Sequence, residues 1–158
     1  MNDEILEKQN EIYVRRLRPD DLDAVIRIDA KNTGQRREEY FKLKLRQALA
    51  ESGVEVSLAA EVDGLLVGFV LCWVYYGEFG QPEAAAVLDT IGVHPDFAHK
   101  GVGDSMLKQL KMNLGALGIP VLRTEVDFSD TRLLGFFHKE GFTPSSRICL
   151  DLAIGEST

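Results

Sequence analysis

The chain has 158 residues, of which 45% are hydrophobic and 27% are charged, a composition typical of a folded globular protein rather than a disordered one. Its formal net charge of −7 argues against nucleic-acid binding. Its longest apolar run, from Leu65 to Tyr76, is shorter than the ~20 residues of a membrane-spanning helix, so no membrane partner is expected.

The length predicts one domain over residues 1–158, with the first ~10 residues flexible. The N-terminal segment lacks the apolar core of a signal peptide. Cys72 and Cys149 lie in strand-like stretches and are expected to be small buried thiols rather than a disulfide framework or a metal site. Together these observations predict a cytoplasmic protein.

Hydrophobic periodicity predicts that the first half of the chain is a strand, two helices and three further strands. The dipeptide Asp63-Gly64 predicts a two-residue hairpin turn. The run at 65–76 is nearly all apolar, as expected for a central strand that is covered on both faces. In chain order these elements are a strand at 11–17, helices at 19–31 and 36–51, and strands at 54–62, 65–76 and 84–93.

The second half alternates helices and strands. Its first helix has apolar residues at helical spacing, and Asp130 is placed to cap the second. In chain order the elements are a helix from about Gly101 to Leu117, a strand at 121–126, a helix at 130–142 and a last strand at 147–154. The whole order of elements predicts a mixed α/β sheet.

The stretch HPDFAHKGVGDSML, residues 94–107, combines a proline turn with two glycines at the start of a helix. The first N–H groups of a helix have no partner within it and lie at the positive end of its dipole, so they can bind an anion without a basic side chain. Gly101 and Gly103 would let a phosphate approach the backbone, with His99 and Lys100 at the rim. The pattern is neither a Walker loop nor the dinucleotide fingerprint. A purely structural strand-to-helix turn is the alternative.

The segment IGVHPDFAHKGVGDSML, followed further along by DTRLLGFFHKEGF, resembles the signature of the GNAT superfamily of N-acetyltransferases. The resemblance implies a mixed, mostly antiparallel central sheet with helices on both faces, and acetyl-coenzyme A as the acetyl donor. In that family the loop amides bind the pyrophosphate of the coenzyme, and the preceding strand bonds to its pantetheine arm. The loop positions that this implicates are Ala98, His99, Lys100, Gly101, Val102, Gly103 and Asp104. The strand positions are Ile91 and Val93, and those of the later helix are Asp130 and Phe137.

Three of these positions differ from the family pattern. Ala98 stands where Arg or Gln is usual, which is expected to weaken coenzyme binding without abolishing it, because the backbone makes most of the pyrophosphate contacts. Asp130 replaces an Asn and cannot donate an amide N–H. Phe137 replaces the Tyr that often protonates the departing thiolate, which predicts a slower enzyme or another proton source.

The resemblance implies direct attack of an amine on the acetyl thioester. Because an alkyl ammonium group of pKa ~10.4 is almost wholly protonated at neutral pH, a base must remove its proton. Asp89, the ionisable side chain of the strand at 84–93, is the first candidate, and its position four residues before Val93 predicts that both face the same way. Glu125 on the neighbouring strand is the second candidate. A solvent-facing strand residue is the alternative for Asp89.

Tyr75, Tyr76 and Glu78, which come at the end of the third strand, are candidates for the lining of the acceptor site. From Gln47 to His99 the chain has no Lys or Arg but eight acidic residues. A field of that sign attracts a cation, so the acceptor is predicted to be a cationic small-molecule or peptide amine. A solvated acidic face is the plainer alternative.

Two further function classes fit the sequence. One is an acyl-coenzyme A binding module that has lost turnover, which Phe137 and Ala98 favour. The other is a cofactor-free interaction domain whose acidic edge binds a basic partner. His94 and His99 are expected to be turn and rim residues, since no third metal ligand is evident near them. The oligomeric state is left open, with a homodimer among the options.

Overall fold

The computed structural model describes residues 11–155 and contains one sheet of five strands in the order β1-β2-β3-β4-β5. Strands β1 to β4 pair antiparallel, and β5 pairs parallel to β4. The strands are β1 (Ile12–Arg16), β2 (Leu58–Val62), β3 (Leu65–Tyr76), β4 (Ala84–Val93) and β5 (Leu122–Arg123). The helices are α1 (Leu22–Thr33), α2 (Glu38–Arg46), α3 (Val102–Ala116) and α4 (Thr131–Lys139). The predicted mixed, mostly antiparallel α/β fold is confirmed.

The chain divides into two compact units, the first ending at Glu125 and the second beginning at Val126. The first unit holds the sheet with α1, α2 and α3, and the second holds α4. One domain over residues 1–158 stays a prediction, and the segment expected to be flexible lies outside the described residues. Within residues 11–155, no helix has the length and apolarity needed to cross a membrane.

Helices cover both faces of the sheet in the first unit. Because side chains alternate along a strand, Gly68 and Phe69 of β3 face opposite ways. The Phe69 ring packs edge-on against Phe41 of α2, with ring centroids 6.0 Å apart. A Cβ at Gly68 would lie 2.8 Å from the Cγ1 atom of Val102 in α3. Helix α2 therefore covers one face and α3 covers the other, as the family resemblance implied.

The turn between β2 and β3 forms as the sequence predicts. Asp63 and Gly64 both have positive φ angles, 50° and 77°, which suit the primed turns that match the twist of a hairpin. Val62 and Leu65 face each other directly at the turn. The turn sets this register only for the first two pairs, because the pairing shifts by one residue between Glu61 and Ala60.

Several predicted elements are shorter in the structure, among them the strand at 54–62, which begins at Leu58. Helix α2 ends at Arg46 and gives way to a π-helical turn over Gln47–Glu51. Only Leu122 and Arg123 of the predicted strand at 121–126 pair with β4. Periodicity indicates which residues can form a strand, but the length of the ladder depends on how far the neighbouring strand runs alongside.

The last predicted strand is absent, because residues 147–154 form no ladder. Alternation of apolar and polar residues makes a strand only where a sheet edge supplies the hydrogen bonds. Cys149, which was expected to be buried in that strand, is exposed, whereas Cys72 in β3 is buried as expected.

Gly92 in β4 provides a test of how tightly the sheet packs. A Cβ at this position would approach Cε1 of the Phe69 ring to 2.5 Å, and Phe69 is 1% exposed, so the ring has no room to move. We expect Gly92→Ala to lower the free energy of unfolding by about 1–3 kcal/mol, measured by chemical denaturation.

Gly115→Ala is the matched control, because nothing lies within 4 Å of its missing Cβ. Since Gly115 is an exposed helical residue, Gly115→Ala should raise the free energy of unfolding by about 0.5–1 kcal/mol. Equal effects of the two substitutions would contradict the close packing of Phe69 over Gly92.

Candidate active site

An extra residue interrupts β4 at Asp89. Leu71 of β3 pairs with Thr90, whereas the next residue of β3, Cys72, pairs with Leu88. Asp89 is therefore a bulged residue without a cross-strand partner of its own. A bulge of this kind bends the strand and shifts the alternation of the side chains that follow it.

The bulge turns Asp89 toward α2. Its Oδ1 accepts a hydrogen bond from Lys44 Nζ at 3.1 Å, and its Oδ2 accepts one from Thr90 Oγ1 at 2.8 Å. Val93 instead pairs with Gly68, whose missing side chain points at α3. The prediction that Asp89 and Val93 share a face is wrong, because the extra residue shifts the period of two by one.

Two aromatic rings lie close to Lys44, and one of them also contacts Arg37. Its ammonium group lies 5.4 Å from the centroid of Tyr40 and 5.3 Å from that of Trp73. The guanidinium of Arg37 lies 4.7 Å from the Tyr40 centroid and donates two hydrogen bonds to Asp29, at 2.6 and 2.9 Å. These hydrogen bonds raise the pKa of Arg37. Sequence reasoning missed both cations, because nothing in the local pattern shows that Lys44 reaches Asp89 of β4 or that Arg37 reaches Asp29 of α1.

Strands β4 and β5 pair at two positions, Ala86 with Leu122 and Val87 with Arg123. The Oγ1 atom of Thr124 then donates to a carbonyl of β4 at 2.9 Å. Beyond the bulge, none of the described strands lies along this outer edge of β4. The edge is therefore open to a ligand that can hydrogen-bond to the backbone.

The backbone of Ile91 and Val93 faces this open edge. The His94 N–H donates to the Val67 carbonyl at 2.7 Å, so alternation turns the polar groups of Ile91 and Val93 away from β3. The Val93 carbonyl accepts a hydrogen bond from Asn32 Nδ2 of α1 at 3.0 Å. The two strand positions identified from the sequence thus lie where a ligand arm could pair with them.

The loop after β4 leads into α3 through a 3₁₀ turn at Pro95–Phe97. The turn is held by His94, whose Nδ1 accepts from the Asp96 N–H at 3.1 Å. His99 and Gly101 both take left-handed conformations, with φ angles of 61° and 82°. Gly101 precedes α3 as its N-cap, and nothing lies within 4 Å of the Cβ that it lacks.

The start of α3 presents backbone donors. The Ser105 N–H bonds to the Gly101 carbonyl at 3.0 Å, which closes the first helical turn. The N–H groups of Val102 and Gly103 precede this bond and so have no acceptor within the helix. Together with the helix dipole they suit an anion. Asp104, in the same first turn, is half-buried.

His99 and Lys100 are exposed at the rim of this loop, as predicted. Lys100 Nζ lies 5.4 Å from the Phe97 ring centroid. The N–H of Ala98 donates to the Pro95 carbonyl at 3.2 Å, so it is used within the turn. Across residues 11–155, no three His, Cys, Asp or Glu side chains gather as metal ligands would.

The residues predicted to line an acceptor site lie along the end of β3. Tyr75 Oη accepts a hydrogen bond from Arg123 Nη1 at 2.7 Å, an interaction that the sequence did not indicate. Tyr76 is 65% exposed, and Glu78 is exposed in the turn that follows. Glu125 lies beyond the end of β5 and is also exposed.

The second unit contains the later helix. Asp130 Oδ1 accepts from the Leu133 N–H at 3.0 Å, which confirms the predicted cap. Phe137 is 4% exposed, and its ring centroid lies 5.4 Å from that of Phe136 and 4.9 Å from that of Phe142. Its ring is therefore a packing element and has no proton to donate.

The sequence matches the Acetyltransferase (GNAT) family over residues 22–142, a span that includes β4, the loop and α3. The chain belongs to this family. Its membership agrees with the resemblance carried by the loop and by the helix that Asp130 caps.

Solved GNAT structures share the fold of this chain. An aminoglycoside N-acetyltransferase, AAC(6')-Iy in complex with CoA, has a TM-score of 0.73 and 15% identity, with 90% of this chain and 95% of that chain covered. A ribosomal-protein-alanine N-acetyltransferase from Brucella melitensis biovar Abortus 2308 has a TM-score of 0.71 and 19% identity, over 91% of this chain and 100% of that one. The ribosomal-protein-S18-alanine N-acetyltransferase from Escherichia coli has a TM-score of 0.69 and 21% identity, over 86% and 80%.

A double-mutant cycle tests the pairing of Asp89 in this GNAT chain. The Lys44 and Asp89 side chains are 19% and 20% exposed, so their attraction is only partly screened. We expect Lys44→Met and Asp89→Asn to show a coupling energy of about 1 kcal/mol in denaturation at neutral pH.

The exposed pair Lys42–Glu39 on the same helix is the control and should show no measurable coupling in Lys42→Met and Glu39→Gln. Additive effects at Lys44 and Asp89 would contradict the observed contact.

Proposed function

We propose that the chain is an N-acetyltransferase that moves the acetyl group of acetyl-coenzyme A to a primary amine by direct attack on the thioester. One observation carries the proposal: a single loop joins the open edge of β4 to the free backbone N–H groups at the start of α3. These N–H groups suit a phosphate group, and the open edge suits an arm that carries amides. Family membership and the CoA in the AAC(6')-Iy complex support the same donor.

The loop fits the pyrophosphate of the coenzyme. The N–H groups of Val102 and Gly103 would donate to it, and the open space beside Gly101 leaves room for its oxygens. His99 and Lys100 would add charge from the rim, while Ala98 offers no polar side chain. Backbone donors therefore carry this binding.

The backbone of Ile91 and Val93 would hold the pantetheine arm along the outer edge of β4. When bound, acetyl-coenzyme A supplies a thioester whose carbonyl carbon accepts the amine nitrogen, while the thiol departs. The bulge at Asp89 lies just before these two positions in β4. A ligand arm on this edge would therefore place its end near the bulge.

Asp89 is the proposed base that takes the proton of the amine. Its two oxygens accept from Lys44 and Thr90, and a carboxylate retains further lone pairs for a third donor. Glu125, exposed beyond β5, is the second candidate, and a water chain is the alternative to both. Phe137 offers no proton, so water or another group would protonate the departing thiolate.

The proposed acceptor is a small-molecule or peptide amine with positive charge, bound near Tyr75, Tyr76 and Glu78. The similar structures include an aminoglycoside N-acetyltransferase and a ribosomal-protein-alanine N-acetyltransferase, so the fold accommodates both classes. In this chain, exposed Glu78 and Glu83 would attract the cation. A cytoplasmic location also stays a prediction.

Binding and turnover separate this function from its two alternatives. Calorimetry should show that coenzyme A binds, and a thiol-release assay should show turnover with members of an amine panel. Binding without turnover on any amine would favour an acyl-coenzyme A binding module, which the buried Phe137 supports. Failure to bind coenzyme A would leave the interaction domain.

Two glycines with the same backbone strain test the loop. Gly101 and Gly118 have φ angles of 82° and 73°, and nothing lies within 4 Å of either missing Cβ. We expect Gly101→Ala and Gly118→Ala to destabilise the fold similarly, by about 1–2 kcal/mol, because an alanine is strained there. Only Gly101→Ala should weaken coenzyme A binding in calorimetry, by tenfold or more. Equal binding by both variants would contradict the loop as the pyrophosphate site.

A pH profile tests Asp89. Asp89→Asn should lower kcat/KM most at neutral pH and less as rising pH deprotonates the amine in solution. Asp89→Asn alone leaves the Lys44 ammonium without its carboxylate partner. The double variant Lys44→Met/Asp89→Asn also removes that ammonium, and it should show the same pH profile as Asp89→Asn. Asp96→Asn, at an exposed acid of the same stretch, controls for the loss of one negative charge. A profile of Asp89→Asn parallel to that of the parent protein would exclude Asp89 as the base.

A further inference from the structure

Lys44 of α2 brings an amine of the chain itself to the carboxylate of Asp89. Its Nζ donates a hydrogen bond to Oδ1 of Asp89 at 3.1 Å. A nucleophile and the base that takes its proton must come about this close, within roughly 2.6–3.2 Å. Transfer of an acetyl group to an external acceptor does not require a lysine of the chain at this point.

Two aromatic rings hold the ammonium group in this position. The Nζ atom lies 5.4 Å from the centroid of Tyr40 and 5.3 Å from that of Trp73. Tyr40 precedes Lys44 by four residues on α2, so the two share one face of the helix, whereas Trp73 lies on β3. Contacts from two elements therefore fix the nitrogen, and an amine that is already positioned loses less entropy on reaching its transition state.

The thioester of the proposed acetyl donor would end beside the same carboxylate. Val87 is the last residue of β4 that pairs with β5, and Asp89 follows it by two residues. The proposed path of the pantetheine arm along Ile91 and Val93 leads its thioester end toward this point. The lysine side chain has a flexible four-carbon stem, so its nitrogen can move the short distance to the thioester carbon.

We propose that Lys44 is a modification site, which receives one acetyl group from the acetyl-coenzyme A bound by its own chain. This proposal rests on the proposed acetyl donor. Asp89 takes one proton from the ammonium group and later gives it to water. The Nζ atom then forms a bond to the carbonyl carbon, and the carbon–sulfur bond breaks. A second proton passes from the nitrogen to the departing thiolate, which leaves as the free thiol.

The modification would change the charge of the site. The product is a stable amide, so each chain reacts once and keeps the group. Acetyl-lysine has no positive charge, so its ion pair with Asp89 and its cation–π contacts are lost. The carboxylate is then available to the amine of an external acceptor. Acetylation of Lys44 thus makes the site more negative by one charge, which favours a cationic acceptor.

Lys42 provides a matched comparison on the same helix. Its Nζ donates to Glu39 at 3.0 Å, so it is also an ammonium group bonded to a carboxylate. Two residues turn a helix by about 200°, which places the two lysines on different sides of α2. The side chain of Lys42 is 47% exposed, against 19% for Lys44. Uncatalysed acetylation by the free coenzyme favours Lys42, whereas transfer within the site favours Lys44.

Isotope labelling with mass spectrometry tests which lysine reacts. The chain is incubated with acetyl-coenzyme A that carries a ¹³C-labelled acetyl group, and labelling is counted over chains that start unmodified. Cleavage after arginine releases residues 38–46, which contain both lysines, and fragmentation of this peptide distinguishes them. We expect Lys44 to be labelled at least about tenfold faster than Lys42. Faster or equal labelling of Lys42 would overturn the proposal.

Two further conditions test whether the transfer takes place within one folded chain. In urea, where the site is lost, the two lysines should be labelled at similar rates. With saturating coenzyme, the first-order rate constant of Lys44 should stay the same when the chain is diluted tenfold. A preference for Lys44 that persists in urea, or a rate constant that falls in proportion to the chain concentration, would contradict transfer within the chain.

Asp89→Asn separates a base from a structural partner. If Asp89 takes the proton, this change should slow the labelling of Lys44 by about a hundredfold and leave that of Lys42 unchanged. If the ion pair only holds the structure, the change frees Lys44 and its labelling should become faster, which would overturn the proposal. Asp96→Asn, at an exposed acid, is the control and should alter neither rate.

Calorimetry and the thiol-release assay separate failure of this proposal from failure of the proposed function. A chain that binds coenzyme A and acetylates an external amine, but leaves Lys44 unlabelled, would overturn the modification and leave the proposed function standing. A chain that does not bind coenzyme A would overturn both.

Discussion

A strand that gains one residue against its neighbour must turn the side chains that follow it to the opposite face. In β4 the extra residue is Asp89, and the arrangement of the candidate active site depends on it. Before the bulge, β4 is paired on both sides. After it, the strand keeps β3 on one side and presents Ile91 and Val93 to an open edge on the other. The bulged residue lies just beyond the last pair with β5 and carries the carboxylate beside the open edge.

Much of the first unit could be predicted from the sequence because its determinants are local. Periodicity found the strands and helices, the Asp63-Gly64 dipeptide found the hairpin, and the glycines around Gly101 found the start of α3. The bulge at Asp89 could not be found this way, since it depends on how β3 and β4 align. The sequence itself shows that Phe137 lacks a hydroxyl, but its burial between neighbouring rings appears only in three dimensions.

The acidic stretch from Gln47 to His99 shows that charges counted along the sequence do not give the electrostatic field of the folded protein. Two of its carboxylates lie against cations from outside the stretch: Arg15 donates to Glu61 at 2.8 Å, and Lys44 donates to Asp89 at 3.1 Å. Opposite charges brought together by folding largely cancel at a distance. The exposed acids that remain set the field, and a cationic acceptor depends on those near the end of β3.

At the open edge of β4, the Val93 carbonyl already accepts a hydrogen bond from Asn32 Nδ2 at 3.0 Å. A carbonyl oxygen has two lone pairs, so a ligand arm can bond to it while Asn32 stays bound. The ligand and the last turn of α1 would then share one acceptor, and Asn32 would tie that helix to the occupied edge.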